Sequence, residues 1–459
     1  MGAYLSSPKT AKESSDGRGG FHSWGCSEVQ GWRTEMEDAH VAISGLEGTS
    51  GGVAMFGVYD GHGGCEVAKF VEKHLPEEVA EKSCYLMSSA SPGKLTNGDL
   101  LVKGYHRMDE LLRSSEFKDE LAEYRKAASG DGVGGGKARF ASLLQSSIVQ
   151  DLAELRERET ISRQDAKPVM MKMFVLKRLE ASQAAAPSNS STLEETVPPR
   201  RNPCGDLAGA DEGQGGIGTA TRCGVEGSAA LQFGSESGGV SNVGCTAVTA
   251  LLTKTHIVVA NAGDSRAILC VSAVLVVNVA SSRTGRGGRV VELSHDHKPN
   301  SETERRRIEA AGGYVEEIKL TAKTQYRVNG NLNLSRAIGD HEYKKRDDLK
   351  PEEQIICSTP DIVLKELTPE DEFFVLACDG VWDVMSNEEV VDFIRPRIAE
   401  GQKKLSEIVE ELLDHCIADD PKLSEGIGGD NMTCILVKLE RHDDKLSSAS
   451  AAPSGSDRL

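Results

Sequence analysis

Four times along this chain, an aspartate stands where an apolar, strand-like segment meets a glycine-containing turn. These aspartates are Asp60, Asp264, Asp379 and Asp430. The β-branched and aromatic residues beside them are typical of buried strands, and glycine lets the backbone turn back tightly. One Asp-Gly pair is an ordinary turn, but four such positions constrain the fold. They predict a sheet-rich protein in which several strand ends bring their carboxylates together.

A cluster of carboxylates predicts a particular class of metal ion. Carboxylates, a backbone carbonyl and water suit Mg²⁺ or Mn²⁺, and the absence of paired His or Cys argues against zinc or copper. Two such ions that share Asp60 would hold and deprotonate a bridging water and clamp a phosphoryl group for in-line attack. His62 would then protonate the leaving alkoxide. Its alternative roles are to orient Asp60 or to cap the following helix.

A second charged segment lies upstream, between two short predicted strands. Within six residues it contains Arg33, Glu35, Glu37 and Asp38. One interpretation is a solvated edge with local ion pairs. The other is that the arginine binds an oxyanion, because a guanidinium contacts phosphate through two parallel hydrogen bonds, while the acids bind metal. The pattern alone leaves both interpretations open.

Hydrophobic periodicity predicts how helices and strands follow one another. Between residues 244 and 269, alternating apolar residues indicate an antiparallel meander with one buried face. The first helix is expected to end before Pro76. Two further helices have predicted N-caps, Ser301 with a capping box to Glu304 and, later in the chain, Asn387.

Composition divides the chain into a predicted catalytic domain, two insertions and two polar ends. The domain covers residues 22–440 and is interrupted by a long insertion at 129–242 and a short one at 271–288. The long insertion combines an amphipathic helical part with a Ser/Gly/Pro-rich part that cannot bury enough surface to order itself. Residues 1–21 are expected to be mobile, and residues 441–459 to form a disordered tail.

Charge and cysteine content limit the classes of binding partner and the cellular compartment that we expect for the chain. The formal net charge of −18 argues against nucleic acid or an anionic membrane as the main partner. The 11 cysteines, an odd number without a Cys-x-x-Cys pair, indicate reduced thiols inside a cell. No apolar run reaches the roughly 18 residues of a membrane span. Gly2 and Ser6 fit the N-myristoylation pattern, so we expect reversible membrane contact. We further expect a cytoplasmic monomer, with a nuclear location as an open alternative.

Eight segments of the chain resemble, in the same order, the successive motifs of the metal-dependent type-2C (PPM) protein phosphatases. They are RTEMED at 33–38, FGVYDGHGG at 56–64, GCTA at 244–247, NAGDSR at 261–266, DHKP at 296–299, SRAIGD at 335–340, ACDGVWD at 377–383 and GDNMT at 429–433. Together they frame the predicted domain apart from its insertions. One motif would be weak, but eight in order are very specific.

This resemblance implies a fold, a reaction and a set of site residues. The fold is α+β, a β-sandwich of two antiparallel sheets flanked by helices on both faces. The reaction is hydrolysis of phosphoserine and phosphothreonine in protein substrates with two Mn²⁺ or Mg²⁺ ions. Arg33 would hold the substrate phosphate, His62 would be the general acid, and Gly2 is a position that some members acylate. The implied metal ligands are Asp60, which bridges both ions, the Gly61 carbonyl, Asp379, Asp430, Glu37 and Asp38, with Asp264 and Asp383 at a weaker third position.

The chain departs from the family pattern at Cys245, where serine is usual, and in its two insertions. None of these departures removes an implied ligand. Two alternative functions stay open at this point. One is a catalytically inactive type-2C-like binding or regulatory protein, although the metal acids and Arg33 are all retained. The other is a metal-dependent nuclease, which the acidic composition and the lack of a basic-aromatic run disfavour.

Overall fold

The alternating apolar segments form two antiparallel sheets packed face to face. A computed structural model describes residues 4–46, 52–88, 97–128, 242–272, 288–319 and 324–440. The first sheet has the strand order β1 (Tyr4–Arg18), β2 (His22–Arg33), β16 (Met432–Leu439), β15 (Asp371–Ala377), β9 (Arg266–Val271), β10 (Arg289–Glu292). The second has the order β14 (Asp361–Glu366), β8 (His256–Ala262), β7 (Ala247–Leu252), β4 (Ala54–Tyr59), β3 (Ala39–Ile43).

Two small sheets complete the strand pairing in the described residues. β5 (Gly61–His62) and β13 (Ile338–Gly339) flank β6 (Gly244–Cys245), and β11 (Val315–Lys319) pairs with β12 (Thr324–Val328). Cys245 is fully buried between its two partner strands, as expected for a packing position. The eight cysteines whose side chains the structure describes are all buried and outside any disulfide.

Apolar side chains from the inner faces of both large sheets fill the space between them. Phe56 and Val248 of the second sheet belong to the same buried cluster as Trp24, Phe374 and Ile435 of the first. The rings of Phe56 and Phe374 meet edge to face with centroids 5.8 Å apart, a geometry that aromatic pairs prefer. This core is that of the predicted β-sandwich.

Helices cover the outer face of each sheet. They are α1 (Glu66–Ser88), α2 (Asn97–Arg113), α3 (Lys118–Ala128), α4 (Glu302–Ala310), α5 (Asp379–Trp382), α6 (Asn387–Glu400) and α7 (Leu405–Cys416), with short 3₁₀ turns at Ser115–Phe117, His341–Tyr343 and Pro351–Glu353. Phe70 of α1 and Tyr105 of α2 pack against the second sheet. Ile394 of α6 and Leu412 of α7 pack against the first. The helix–sheet–sheet–helix layering confirms the predicted α+β class.

Strand β1 replaces the mobile start expected at residues 1–21. It pairs antiparallel with β2, with Tyr4 opposite Arg33 and Arg18 opposite Ser23. Most of its side chains are exposed, so backbone pairing holds this edge strand, and hydrophobic alternation gave no signal for it. Gly2 lies outside the described residues.

The predicted end of the first helix before Pro76 is wrong. Helix α1 continues through Pro76 to Ser88. Leu75 and Val79, on either side of the proline, are both buried in the core. Their burial on one continuous helix face offsets the hydrogen bond that proline removes.

The helix caps also differ in detail from the prediction. Ser301 is the N-cap of α4 but its side chain makes no capping bond. The Glu304 carboxylate, which would have completed the capping box, binds Arg307 and Arg336 instead. Asn387 is the first residue of α6 and not its cap. Ser386 caps this helix, with a reciprocal bond to Glu389.

The predicted insertions and tail fall mostly outside the described residues, which omit 129–241, 273–287 and 441–459. Val271 and Arg289 pair across β9 and β10, so the two ends of the short insertion meet on neighbouring strands. Among the described helices, none is both long enough and apolar enough to cross a membrane.

Candidate active site

The strand register brings the predicted aspartates to one edge of the sandwich. In the first sheet, the end of β15 pairs with the starts of β16 and β9. Asp379 follows β15, whereas Asp430 and Asp264 precede the other two strands, so antiparallel pairing places all three at one edge. In the second sheet, the end of β4 pairs with the start of β3. This pairing brings Asp60 beside Asp38.

Asp38, which is buried, and Asp60, which is half-buried, form the centre of the cluster. Asp38 is fully buried, and the Thr433 hydroxyl donates to its Oδ2 at 2.7 Å, while its Oδ1 has no partner among the described residues. Burial raises the pKa of Asp38 to about 7. Burial and the charges of Asp38 and Asp379 raise the pKa of Asp60 well above its usual value. Carboxylates this close favour a compensating cation.

Asp379 and Asp430 extend the cluster toward Arg33. Burial, followed by the charges of Asp264 and Asp430, raises the pKa of Asp379 well above its usual value. Burial raises the pKa of Asp430 as well, although Arg33 opposes the shift. Nη2 of Arg33 lies 2.5 Å from Oδ2 of Asp430, and the arginine side chain stays 38% exposed. The predicted phosphate-binding group therefore lies at the solvent side of the acids.

Gly61 brings the backbone of β5 against the loop that carries Glu37. A Cβ atom at position 61 would lie 2.3 Å from the Glu37 carbonyl oxygen, so only glycine permits this approach. The Glu37 amide donates to Oδ1 of Asn431 at 3.0 Å, which ties this loop to the turn at Asp430. Burial raises the pKa of the Glu37 carboxyl. Both predicted ligands thus border the acid cluster.

The donor atoms fit a hard divalent cation. Asp38, Asp60 and Cys378 each offer one atom, and these atoms lie within 4.8 Å of one another. Burial raises the pKa of the Cys378 thiol well above its usual value, and the thiol donates to the Asn431 carbonyl at 3.6 Å. Oxygen donors are left for the ion, and one cation would satisfy both the unpartnered Asp38 oxygen and the repulsion among the acids.

Asp264 and Asp383 are the residues predicted to hold a third metal ion. Both act electrostatically on Asp379, and Asp383 also acts on Asp430. Asp264 is 2% exposed, and its Oδ2 lies 2.5 Å from Nζ of Lys298. Asp264 and Asp383 therefore lie within electrostatic reach of Asp379.

His62 faces a buried aspartate to which the sequence analysis gave no role. Nε2 of His62 lies 2.7 Å from Oδ2 of Asp340, which is 1% exposed. Burial favours the neutral ring, but Asp340 and Glu37 outweigh it and raise the pKa of His62. Asp340 also follows a glycine at the end of an apolar stretch, so the local pattern marks the position but does not indicate its contact with His62.

Thr433 and Lys298 were also missed as site residues. Each lies inside a motif of the family resemblance, GDNMT or DHKP. Thr433 contacts Asp38 across 395 residues of the chain, and Lys298 contacts Asp264 across 34 residues. Spacing in the sequence carries no signal for such contacts.

Comparison with known proteins shows the same family across nearly the whole chain. The family model described as "Protein phosphatase 2C" matches residues 23–130 and 228–422. "Probable protein phosphatase 2C 11" of Oryza sativa subsp. japonica is 35% identical over 441 residues, covering 96% of this chain and 91% of the relative. "Protein phosphatase 1G" of Bos taurus is 34% identical over 538 residues, covering 95% and 92%.

A solved structure has the same fold. The crystal structure of a serine-threonine phosphatase 2C from Toxoplasma gondii aligns with a TM-score of 0.51 at 18% sequence identity. The alignment covers 95% of this chain and 98% of that one. The two-sheet sandwich with flanking helices is therefore a known architecture.

Proposed function

This chain belongs to the protein phosphatase 2C family, and from that membership we propose how its residues perform the reaction. The protein is a metal-dependent protein serine/threonine phosphatase. We propose that water attacks the phosphorus of phosphoserine or phosphothreonine in one in-line step, with the alkoxide leaving on the opposite side. The observation that carries this proposal is the buried carboxylate cluster around Asp60, whose oxygens suit Mn²⁺ or Mg²⁺.

Two Mn²⁺ or Mg²⁺ ions, when bound, would supply an activated water and a positive clamp on the phosphoryl group. Asp60 lies at the centre of the cluster and is proposed to bridge them. The Gly61 carbonyl, Asp379 and Asp430 would be the other direct ligands. Glu37 and Asp38 would act directly or through water, and Asp264 and Asp383 would hold a weaker third ion.

Phosphate release from a phosphothreonine peptide tests the proposed reaction. We expect turnover by the full chain with added Mn²⁺, loss of turnover in EDTA, and recovery when Mn²⁺ is restored. Okadaic acid should leave the activity unchanged, and single-stranded DNA should not be cleaved. Lack of turnover with Mn²⁺ and with Mg²⁺ would contradict the proposal and favour the inactive alternative, to which no observation in the described structure points.

Arg33 is proposed to bind the substrate phosphate. One guanidinium nitrogen binds Asp430, and the side chain is partly exposed, so the group can contact an incoming phosphate while Asp430 holds it. We expect Arg33→Ala to raise KM by about tenfold to a hundredfold, the value of a charge-assisted hydrogen bond, with a smaller change in kcat. Arg33→Lys should fall between, because lysine lacks the two-pronged fork.

Arg18, the last residue of strand β1, provides a matched control for Arg33. Arg18 is 73% exposed and pairs with Glu440. Arg18→Ala removes a comparable surface ion pair and should leave KM unchanged. A drop in kcat without a rise in KM for Arg33→Ala would contradict the phosphate-binding role.

The domain limits and the location of the protein are also proposals. The two blocks of the family model leave residues 131–227 unmatched, which supports an insertion at 129–242 within a catalytic domain of 22–440. We further propose a cytoplasmic monomer that contacts membranes reversibly through N-myristoyl Gly2, because the N-terminal sequence fits the pattern. A mass spectrum of the native N-terminus without an acyl group would remove this second proposal.

A further inference from the structure

Lys298 is a positive group in direct contact with Asp264, at the proposed third metal position. Its Nζ lies 2.5 Å from Oδ2 of Asp264, and the Asp264 side chain is 2% exposed. The charge of Lys298 also reaches Asp379, where it opposes the effect of Asp264 and two other aspartates. A buried carboxylate that already binds an ammonium group has less negative charge to offer a metal ion.

The backbone around Lys298 is fastened to the turn that carries Asp264. The His297 amide donates to the Gly263 carbonyl at 2.9 Å, and Nδ1 of His297 accepts from the Gly263 amide at 3.2 Å. The Ser335 amide and hydroxyl both donate to the His297 carbonyl, at 3.1 and 2.9 Å. Hydrogen bonds of the neighbouring His297 therefore hold the segment that carries Lys298 in place.

The neighbouring pair Arg266 and Asp296 restricts the segment further. The guanidinium contacts both carboxylate oxygens of Asp296, at 2.6 and 3.0 Å. Since Arg266 follows Asp264 by two residues and Asp296 precedes Lys298 by two, the same two segments are joined twice. The contact between Lys298 and Asp264 is thus one of several that join these two segments of the chain.

We propose that the ammonium group of Lys298 acts as a built-in positive charge at the third metal position. It weakens the binding of the third divalent ion, which stays exchangeable, while the two central ions bind tightly. The ammonium group lies on one carboxylate oxygen of Asp264, and its charge repels a divalent ion placed between Asp264 and Asp379. This inference rests on the proposed metal ligands and extends them to a residue that limits how many ions the site retains.

Binding of Mn²⁺ to the full chain tests the inference without an activity readout. Free Mn²⁺ is counted by electron paramagnetic resonance during titration of the wild type and of Lys298→Met, Lys298→Gln and Lys298→Arg. We expect the two neutral variants to bind the weakest Mn²⁺ at least about tenfold more tightly than the wild type. Lys298→Arg keeps the positive charge and should bind that ion as weakly as the wild type does.

Two controls separate this effect from a general loss of packing. Lys365 forms a similar pair with the buried Asp371, at 3.2 Å, so Lys365→Met should leave Mn²⁺ binding unchanged. Adding Asp264→Asn to Lys298→Met should abolish the gain. Lys298→Gln retains a hydrogen-bond donor for Asp264 and carries the test if Lys298→Met does not fold.

The Mn²⁺ titrations distinguish a wrong role for Lys298 from a wrong assignment of the metal ligands. Wild-type protein that binds two ions tightly, with an unchanged third ion in Lys298→Gln, would overturn the role of Lys298 and leave the metal centre intact. Weaker binding of the third ion in that variant would overturn it too, since Lys298 would then support the site. Wild-type protein that binds no Mn²⁺ would overturn both this inference and the proposed metal ligands.

Discussion

Replacing Asp379 with asparagine should lower kcat on a phosphothreonine peptide by about a thousandfold or more, because metal-ion stabilisation of a phosphoryl transition state is worth several kcal/mol. Asp379 starts α5 beside Asp264 and Asp430, so the loss of its charge removes a proposed direct ligand and lowers the negative charge of the cluster. Asp371→Asn is the matched control. Asp371 is a buried aspartate at the opposite end of the same strand, and its variant should keep its turnover per folded molecule.

Asp379→Asn should also stabilise the metal-free protein against unfolding. The pKa of Asp379 is raised in the folded state, so the folded protein binds its proton more tightly than the unfolded chain does. The corresponding stability is present below the unfolded pKa of about 4 and is lost as pH rises through the folded pKa. In EDTA, Asp379→Asn should therefore melt higher than the wild type at pH 8, with a smaller difference at pH 4.

Thermal unfolding with and without Mn²⁺ measures this reversal. With Mn²⁺ the wild type should be the more stable protein, since the ion binds the folded state and offsets the repulsion. Wild-type turnover in Asp379→Asn would contradict the assignment of Asp379 as a metal ligand. A lower melting temperature than the wild type in EDTA at pH 8 would contradict the charge repulsion at Asp379.

Replacing His62 with glutamine should lower kcat on a phosphothreonine peptide by about 100- to 10,000-fold, the usual contribution of a general acid. The His62 ring is held by Asp340 at 2.7 Å, and both Asp340 and Glu37 favour its protonated form. The leaving alkoxide of threonine needs that proton. An aryl phosphate with a good leaving group does not, so its hydrolysis should fall much less.

The ratio of the two substrates distinguishes proton donation from a structural role. If His62 only orients Asp60, both substrates should lose activity equally. His256→Gln is the control, because His256 begins β8 away from the acid cluster and bonds to Thr255. Its activity on both substrates should match that of the wild type.

The strands and most of the site could be predicted because their signals are local. β4 and β15 are continuous apolar segments that run into Asp60 and Asp379, and each pattern is complete within ten residues. The antiparallel order of the strands then brings the aspartates together, as the sandwich prediction required.

The features that were missed depend on tertiary contacts. Strand β1 is polar and is held by its backbone bonds to β2, and α1 continues through Pro76 because both flanking turns are buried. Asp340 and Lys298 become site residues through contacts with His62 and Asp264, which lie 278 and 34 residues away in the chain. Propensity and periodicity describe a segment alone and cannot register such partners.

The pairing of Tyr4 with Arg33 has a practical consequence for how the protein is handled. A residue spans at most about 3.6 Å of chain, so a purification tag fused at the N-terminus would begin within a few residues of the group proposed to bind the substrate phosphate. The opposite end of β2 is different, since His22 pairs there with Leu439. Leu439 therefore lies at the opposite end of the sheet from the catalytic edge, and kinetic comparisons among variants should use protein without an N-terminal tag.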